Sequence, residues 1–294
     1  MKEIFPSYTI GHFINQPTNP TEFEITRFEE MEEPDVDDLH KHTFYEIIWI
    51  EKVKSKQVID YKEYEIKSGS LFFISPEQLH LFEEWKPIIG GSIMFTADFF
   101  LLNHNNTDKL FELSFLDNFY SNASIQPNRK SYNEIKHTID LLYTEHKRND
   151  SSLTICQSLL QILLAQVQRC VDKECEKKVS KKYIILYKNF KNLLDKHFLE
   201  NITTTDYASK LNVTQHHLNH IIKLVTGKTA TEVIRARSIL EAKRLLTFTD
   251  NTVSQVASQL NFFDSSYFAK LFKTETGTSP IAFKKSISEK YRIR

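Results

Sequence analysis

The chain has 294 residues, 40% hydrophobic and 26% charged, with 38 Lys and Arg against 38 Asp and Glu. That length allows two or three compact units, each with a core of its own. No run approaches the roughly 18 uninterrupted apolar residues of a membrane-spanning helix, and no basic patch with an apolar run opens the chain as a signal peptide would.

Three cysteines (Cys156, Cys170 and Cys175) form neither an even framework nor a CxxC pair, so reduced thiols and a cytoplasmic location are expected. The net charge of zero conceals a split. From Ser180 onward 19 Lys and Arg face 9 Asp and Glu, a balance of +10, and the first 179 residues carry the opposite −10. Such asymmetry predicts an electrostatic partner for the basic half.

From about Glu24 to Thr96 the sequence reads as strands. Glu46-Ile-Ile-Trp-Ile-Glu51 is bounded by charge, and Gln57–Tyr61 and Tyr64–Ile66 flank a turn at Lys62-Glu63. Leu71–Ile74 follows Ser68-Gly69, and Ser92–Phe95 follows Gly90-Gly91. Short β-branched and aromatic runs between polar turns predict an antiparallel barrel or sandwich.

Within it, His40-Lys-His42-Thr-Phe-Tyr-Glu46 and Pro76-Glu-Gln-Leu-His80 resemble the two cupin motifs. The resemblance implies a small-molecule pocket at the barrel mouth, lined by His40, His42, Glu46 and His80. Trp49, Tyr61, Phe73 and Phe95 are candidates for its wall or for plain core. The same four polar residues would be the metal ligands if an ion were bound, two imidazoles and a carboxylate with a distant third imidazole. The glycine the motif expects after Pro76 is Gln78 here. The reading carries no metal and no cofactor.

After Ser131 the period changes. Ile135, Ile139, Leu142 and Tyr143 fall at helical spacing, as do Leu153, Cys156, Leu160, Leu163, Leu164 and Val167. These stripes serve packing on the barrel, a dimer seam, or both. Asp172–Lys182, with eight charges, reads as a linker.

Beyond it the sequence repeats itself. Ala208, Ser209, Leu211 and Asn212 recur 49 positions later as Ala257, Ser258, Leu260 and Asn261. Lys223, Thr226 and Gly227 recur 50 later as Lys273, Thr276 and Gly277, so the second copy holds one inserted residue. Each copy reads as a short helix, a tight turn and a second helix, a helix-turn-helix pair. Thr214 caps the second helix of the first copy, and Asp264 or Ser265 that of the second. Between the copies, Thr231–Leu246 forms one amphipathic helix with Arg235, Arg237, Lys243 and Arg244 as exposed cations.

Arg237…Ala242…Leu245-Leu246, then Val256-Ala257…Leu260-Asn-Phe262…Ser266-Tyr-Phe268…Phe272-Lys273…Gly277…Ser279-Pro280 resembles the AraC/XylS family signature. The resemblance implies a bacterial transcription regulator whose two helix-turn-helix units enter successive major grooves. Its base-reading positions would be His216, Asn219 and His220, then Ser265, Ser266, Ala269 and Lys270. Lys223, Lys273 and Arg237 are candidate phosphate contacts. The family usually has glycine where Asn261 stands, and Asn tolerates the left-handed backbone required there.

The expected fold class is α+β. Residues 1–125 form a cupin-like effector-binding barrel, 126–171 a helical dimerisation segment, 172–182 a linker and 183–294 the double helix-turn-helix. The expected function is that of a ligand-responsive activator rather than an enzyme. Double-stranded DNA, an unidentified small-molecule effector, RNA polymerase and a second copy are its expected partners, and no membrane is. The rival readings are a metal-dependent cupin oxygenase or isomerase resting on His40, His42, Glu46 and His80, and a constitutive DNA-binding protein with a structural barrel.

Overall fold

The computed structural model describes residues 7–34, 36, 39–52, 55–82, 88–101, 110, 113–116, 123–174, 180–200 and 202–290. The chain divides into two compact units, one through Lys178 and one from Val179 onward.

The N-terminal unit opens with β1 (Ser7–Tyr8), α1 (Ile10–Phe13), β2 (Phe23–Arg27), β3 (Lys41–His42), β4 (Tyr45–Lys52), β5 (Ser55–Ile59) and β6 (Lys62–Ile66). It continues with β7 (Leu71–Ile74), β8 (His80–Phe82), β9 (Ile89–Phe95), α2 (Ala97–Leu101), β10 (Ser124–Ile125), α3 (Arg129–His146) and α4 (Leu153–Glu174). A five-stranded sheet runs β10-β7-β4-β9-β2, and a three-stranded one runs β6-β5-β8. All their pairings are antiparallel, whereas β1 and β3 pair parallel.

Alternation along the strands sorts their side chains between two layers. Ile48 and Ile50 of β4 and Phe72 and Ile74 of β7 meet Ile59 and Ile66 of the smaller sheet. Ile47, Trp49, Phe73 and Phe95 point the other way, onto Ile135, Ile139, Leu142, Leu160, Leu163 and Val167 of α3 and α4. Both stripes read from the sequence are thus buried against the unit's own sheet. The structure corrects the hairpin turn, which falls at Asp60-Tyr61 rather than Lys62-Glu63. Both turn residues have positive φ (47° and 64°), the backbone of a type I′ turn, although neither is the glycine that usually marks one.

The linker reading is also narrowed. α4 runs to Glu174 and α5 (Lys181–His197) starts before Lys182. Residues 175–179 of that stretch lie outside the described ones.

The C-terminal unit continues with α6 (Thr204–Lys210), α7 (Gln215–Thr226), α8 (Ala230–Phe248), α9 (Val253–Gln259), α10 (Ser265–Thr276) and α11 (Pro280–Lys290). Its helix ends are satisfied by sequence. Capping boxes close Thr203/Asp206, Thr229/Glu232 and Thr252/Gln255. Gly227 (φ 74°) and Gly277 (φ 80°) end α7 and α10 alike, their N–H groups donating to Lys223 and Lys273 carbonyls at 2.9 Å.

Arg237 and Arg244 are not the exposed cations expected of α8. Arg237 is buried; its Nε donates to Asp195 Oδ1 at 2.8 Å and its Nη1 to Glu241 Oε2 at 2.9 Å. The guanidinium lies 3.9 Å from the centre of the Phe198 ring. Arg244 is buried beside Glu241, 3.5 Å away. The reason is positional: both share one face of α8 with the buried Val233 and Leu240. Arg237 is therefore withdrawn as a phosphate contact.

Two stability predictions follow from this packing. A Cβ on Gly91 would overlap the Thr26 carbonyl and the Trp49 ring. Gly91→Ala is expected to destabilise the chain by about 1–3 kcal/mol, read as a lowered thermal midpoint. Arg237→Ala removes two charge-assisted hydrogen bonds and should lose about 1.5–3 kcal/mol in denaturant unfolding. An unaltered midpoint with weakened DNA affinity would instead restore Arg237 to the interface.

Candidate functional site

Two places in the molecule carry chemistry. In the N-terminal unit, β3 delivers His42, β4 Glu46 and β8 His80, all three buried. Their ligand atoms lie within 4.8 Å of one another. Glu46 Oε2 is 3.5 Å from His42 Nε2 and 3.4 Å from His80 Nε2, and Ser92 Oγ donates to Glu46 Oε1 at 2.5 Å. His40 joins them through its backbone, which exchanges hydrogen bonds with His80 at 3.2 and 2.9 Å. Its ring sits 4.3 Å from that of His80, centre to centre.

The surroundings are apolar. His42 stacks on Phe44 (3.8 Å between centres, 7° between planes), and Phe13 from α1 meets His40, His42 and Phe44. Burial pushes the His42 imidazole below its ordinary range, so it is neutral, against the opposing pull of Glu46. Burial would raise the Glu46 carboxyl, but the two imidazoles outweigh it and hold the group below the usual carboxylate range.

The donor set fits a divalent metal. Neither ring nitrogen of His42, nor Glu46 Oε2, makes a hydrogen bond. Ligands about 2.0–2.2 Å from a tetrahedral zinc stand roughly 3.4 Å apart, close to the separations around Glu46 Oε2. The same cluster could equally hold a ligand amine or hydroxyl.

The structure brings His40, His42, Glu46 and His80 together and puts Trp49 in the core, one of the two places open to it from the sequence. Trp49 lies on the opposite face of β4 from Glu46, an odd number of positions away, buried beneath α3 and α4 with Phe73 and Phe95. Its Nε1 donates to Glu51 at 3.2 Å. Ser92, Phe13 and Phe44 were missed. Strand parity could have found Ser92, two residues from Met94, which pairs with Glu46 across β4 and β9. Gln78, in place of the expected glycine, is also explained. Its side chain accepts from Ser75 N at 2.8 Å and donates to Asp60 at 2.9 Å, while the positive φ falls on Glu77.

The second place is the pair of helix-turn-helix units. Asn212 (φ 54°) and Asn261 (φ 57°) make the left-handed turns. Asn261 also donates a side-chain hydrogen bond to the Leu199 carbonyl. Thr214 accepts from His217 N at 3.1 Å and Asp264 from Ser266 N at 2.8 Å, capping α7 and α10. Leu218, Ile221 and Ile222 bury one face of α7, and Phe268 and Phe272 that of α10.

The opposite faces are open. His216, His220 and Lys223 on α7 are exposed, as are Ser266, Lys270 and Lys273 on α10, with Ser265 and Ala269 half-buried. Asn219 departs from expectation. Its Oδ1 accepts from Ala230 N at 3.2 Å, tying α7 to the start of α8. That hydrogen bond engages the oxygen that a bidentate adenine contact would use, and it gives Asn219 a positioning role.

Comparison with known proteins bears on both places. The family model for an AraC-like ligand binding domain matches residues 23–163, and that for a helix-turn-helix domain matches 207–286. The HTH-type transcriptional activator RhaS of Klebsiella pneumoniae is 22% identical over 243 residues, 82% of this chain and 85% of RhaS. RhaS of Escherichia coli is 21% identical over the same span. Among solved structures, ToxT from Vibrio cholerae covers 90% of this chain and 98% of its own at 17% identity, with a TM-score of 0.43. No helix among the described residues is long and apolar enough to cross a membrane. With a ligand-binding domain of this type followed by its DNA-binding partner, the chain belongs to the AraC/XylS family of DNA-binding transcription regulators.

Proposed function

We propose that the chain is an effector-responsive transcription activator that lays α7 and α10 in successive major grooves on one face of DNA. The duplicated helix-turn-helix carries this reading, because both copies present an exposed polar face at a capped helix start within the basic half of the chain. His216 and His220 read base edges from α7, and Ser265, Ser266, Ala269 and Lys270 do so from α10. Lys223 and Lys273 hold phosphates. The 19-residue α8 is about 28 Å long at 1.5 Å per residue. A connector of that order suits recognition helices one DNA turn, roughly 34 Å, apart.

The effector site is the cluster around Glu46. Activation, as the names of the RhaS relatives have it, implies recruitment of RNA polymerase in the cytoplasm. A second copy would dock on the outer face of α4, where Ile155 and Ile162, seven residues apart, stand about half exposed. The chain is assigned no catalytic residue.

A second reading of the cluster rests on its donor geometry: His42, Glu46 and His80 hold a divalent metal that fixes the barrel end or takes part in effector binding. Elemental analysis of full-length protein, purified without chelators, decides between them. One zinc per chain, lost in His42→Ala and His80→Ala, supports the metal. Metal-free protein that still changes its DNA affinity with an organic effector supports the first.

For the interface, His220→Ala should relax base preference at one position by about 1–3 kcal/mol. Lys273→Ala should weaken all sequences alike and lower the slope of log K against log salt by about 1. Competition binding against a panel of single-base operator variants, repeated over a salt series, distinguishes the two. A uniform loss from His220→Ala would remove it from the base-reading set.

A further inference from the structure

The two helix-turn-helix copies make the same backbone hydrogen bonds through the turn, then part at one position. Val213 N donates to Ala208 O at 3.0 Å, and Phe262 N to Ala257 O at 2.9 Å, so Phe262 is the counterpart of Val213. The first copy then passes directly to its cap, Thr214. The second inserts Phe263 before its cap, Asp264. Phe263 is thus the residue by which the second repeat is longer.

A side chain just before an N-cap ordinarily packs on the fourth helical residue, which in α10 is Phe268. That place is taken. Phe262 lies 5.2 Å from the Phe268 ring, centre to centre, and Phe268 is fully buried. Phe263 is left wholly exposed, at 106% of its reference area, the most exposed large apolar side chain among the described residues. It contributes no burial to the unit, and its location is specific. It sits at the start of the recognition helix, the end of a helix-turn-helix that meets base edges.

We propose that Phe263 is a base-contacting residue of the second helix-turn-helix and reads the 5-methyl group of a thymine in the major groove. The proposal rests on the DNA-reading function above. Its neighbours Ser265, Ser266 and Ala269 are small, so their own reach toward the bases is short and they leave room for a ring to approach the groove floor. Thymine alone among the four bases presents a methyl group there, and apolar side chains are its complement. The second unit then discriminates by apolar contact where the first, with His216 and His220, discriminates by hydrogen bonding.

The test uses full-length protein and duplexes it enriches from a random-sequence pool at physiological salt. Each thymine of the enriched site is replaced singly by deoxyuridine, which removes only the methyl group. Wild type is expected to lose about fourfold in affinity at one thymine in one half-element, the weight of one methyl-sized group returned to water. Phe263→Ala should abolish that sensitivity and leave the response at other positions intact, and Phe263→Leu should retain part of it. If Phe263→Ala keeps the wild-type uracil profile, or lowers affinity uniformly, or if no thymine is sensitive in wild type, the proposal is wrong while the DNA-reading function stands. Failure of wild type to enrich any motif would overturn that function, and the proposal with it.

Discussion

Burial of the Glu46 carboxylate is the constraint around which the N-terminal unit is arranged. An ionised group without partners in an apolar interior is strongly unfavourable, and every element near Glu46 answers that demand. β3 and β8 bring imidazoles within 3.5 and 3.4 Å, and β9 brings the Ser92 hydroxyl to 2.5 Å. Phe13 and Phe44 close the site from water. Each partner comes from a different strand, and His42 and His80 come from outside the five-stranded sheet that carries Glu46, so the cluster exists only when the three sheets meet in register. Through that coupling, anything that alters the charge or contacts at Glu46 acts on three strands at once. Pure structural support would need no carboxylate, because an apolar residue of similar size would fill the same space at lower cost.

The C-terminal unit solves a different problem. A recognition helix must expose its first turn to a ligand while keeping its backbone N–H groups satisfied. Thr214 and Asp264 do this from within the chain, so both helix starts are formed before any DNA arrives. Asn212 and Asn261 set the turn angle, and Arg237 of α8 is used internally to pin α5 and the Phe198 turn to the central helix. Lys223 on α7 and Lys273 on α10 stay exposed. The outward side chains at the start of α7 are larger, with His216 and His220, and those at the start of α10 smaller, with Ser265, Ser266 and Ala269.

Much of this was legible in the sequence because the signals are local. Caps and the left-handed Asn depend on residues within a few positions of each other, and Thr214, Asp264 and Asn261 serve where the sequence puts them. The misplacements share one cause, the absence of long-range information. Arg237 reads as exposed because arginine usually is, and its acceptor Asp195 stands 42 positions earlier. Asn219 reads as a base contact because its partner, Ala230 N, belongs to the next helix. Trp49 reads equally as pocket wall or core until strand alternation is applied, which sends it and Glu46 to opposite faces of β4. The hairpin turn moved because Asp60-Tyr61 carries no glycine to announce it.

The account stands or falls on paired reading of DNA by one chain. Hydroxyl-radical footprinting of full-length protein on genomic fragments that it enriches would show the pairing directly. Two protected half-elements on one face of the duplex, about 10–10.5 base pairs between centres for each bound chain, are the predicted result. A single protected element, or protection that follows salt and length but no sequence, would contradict it.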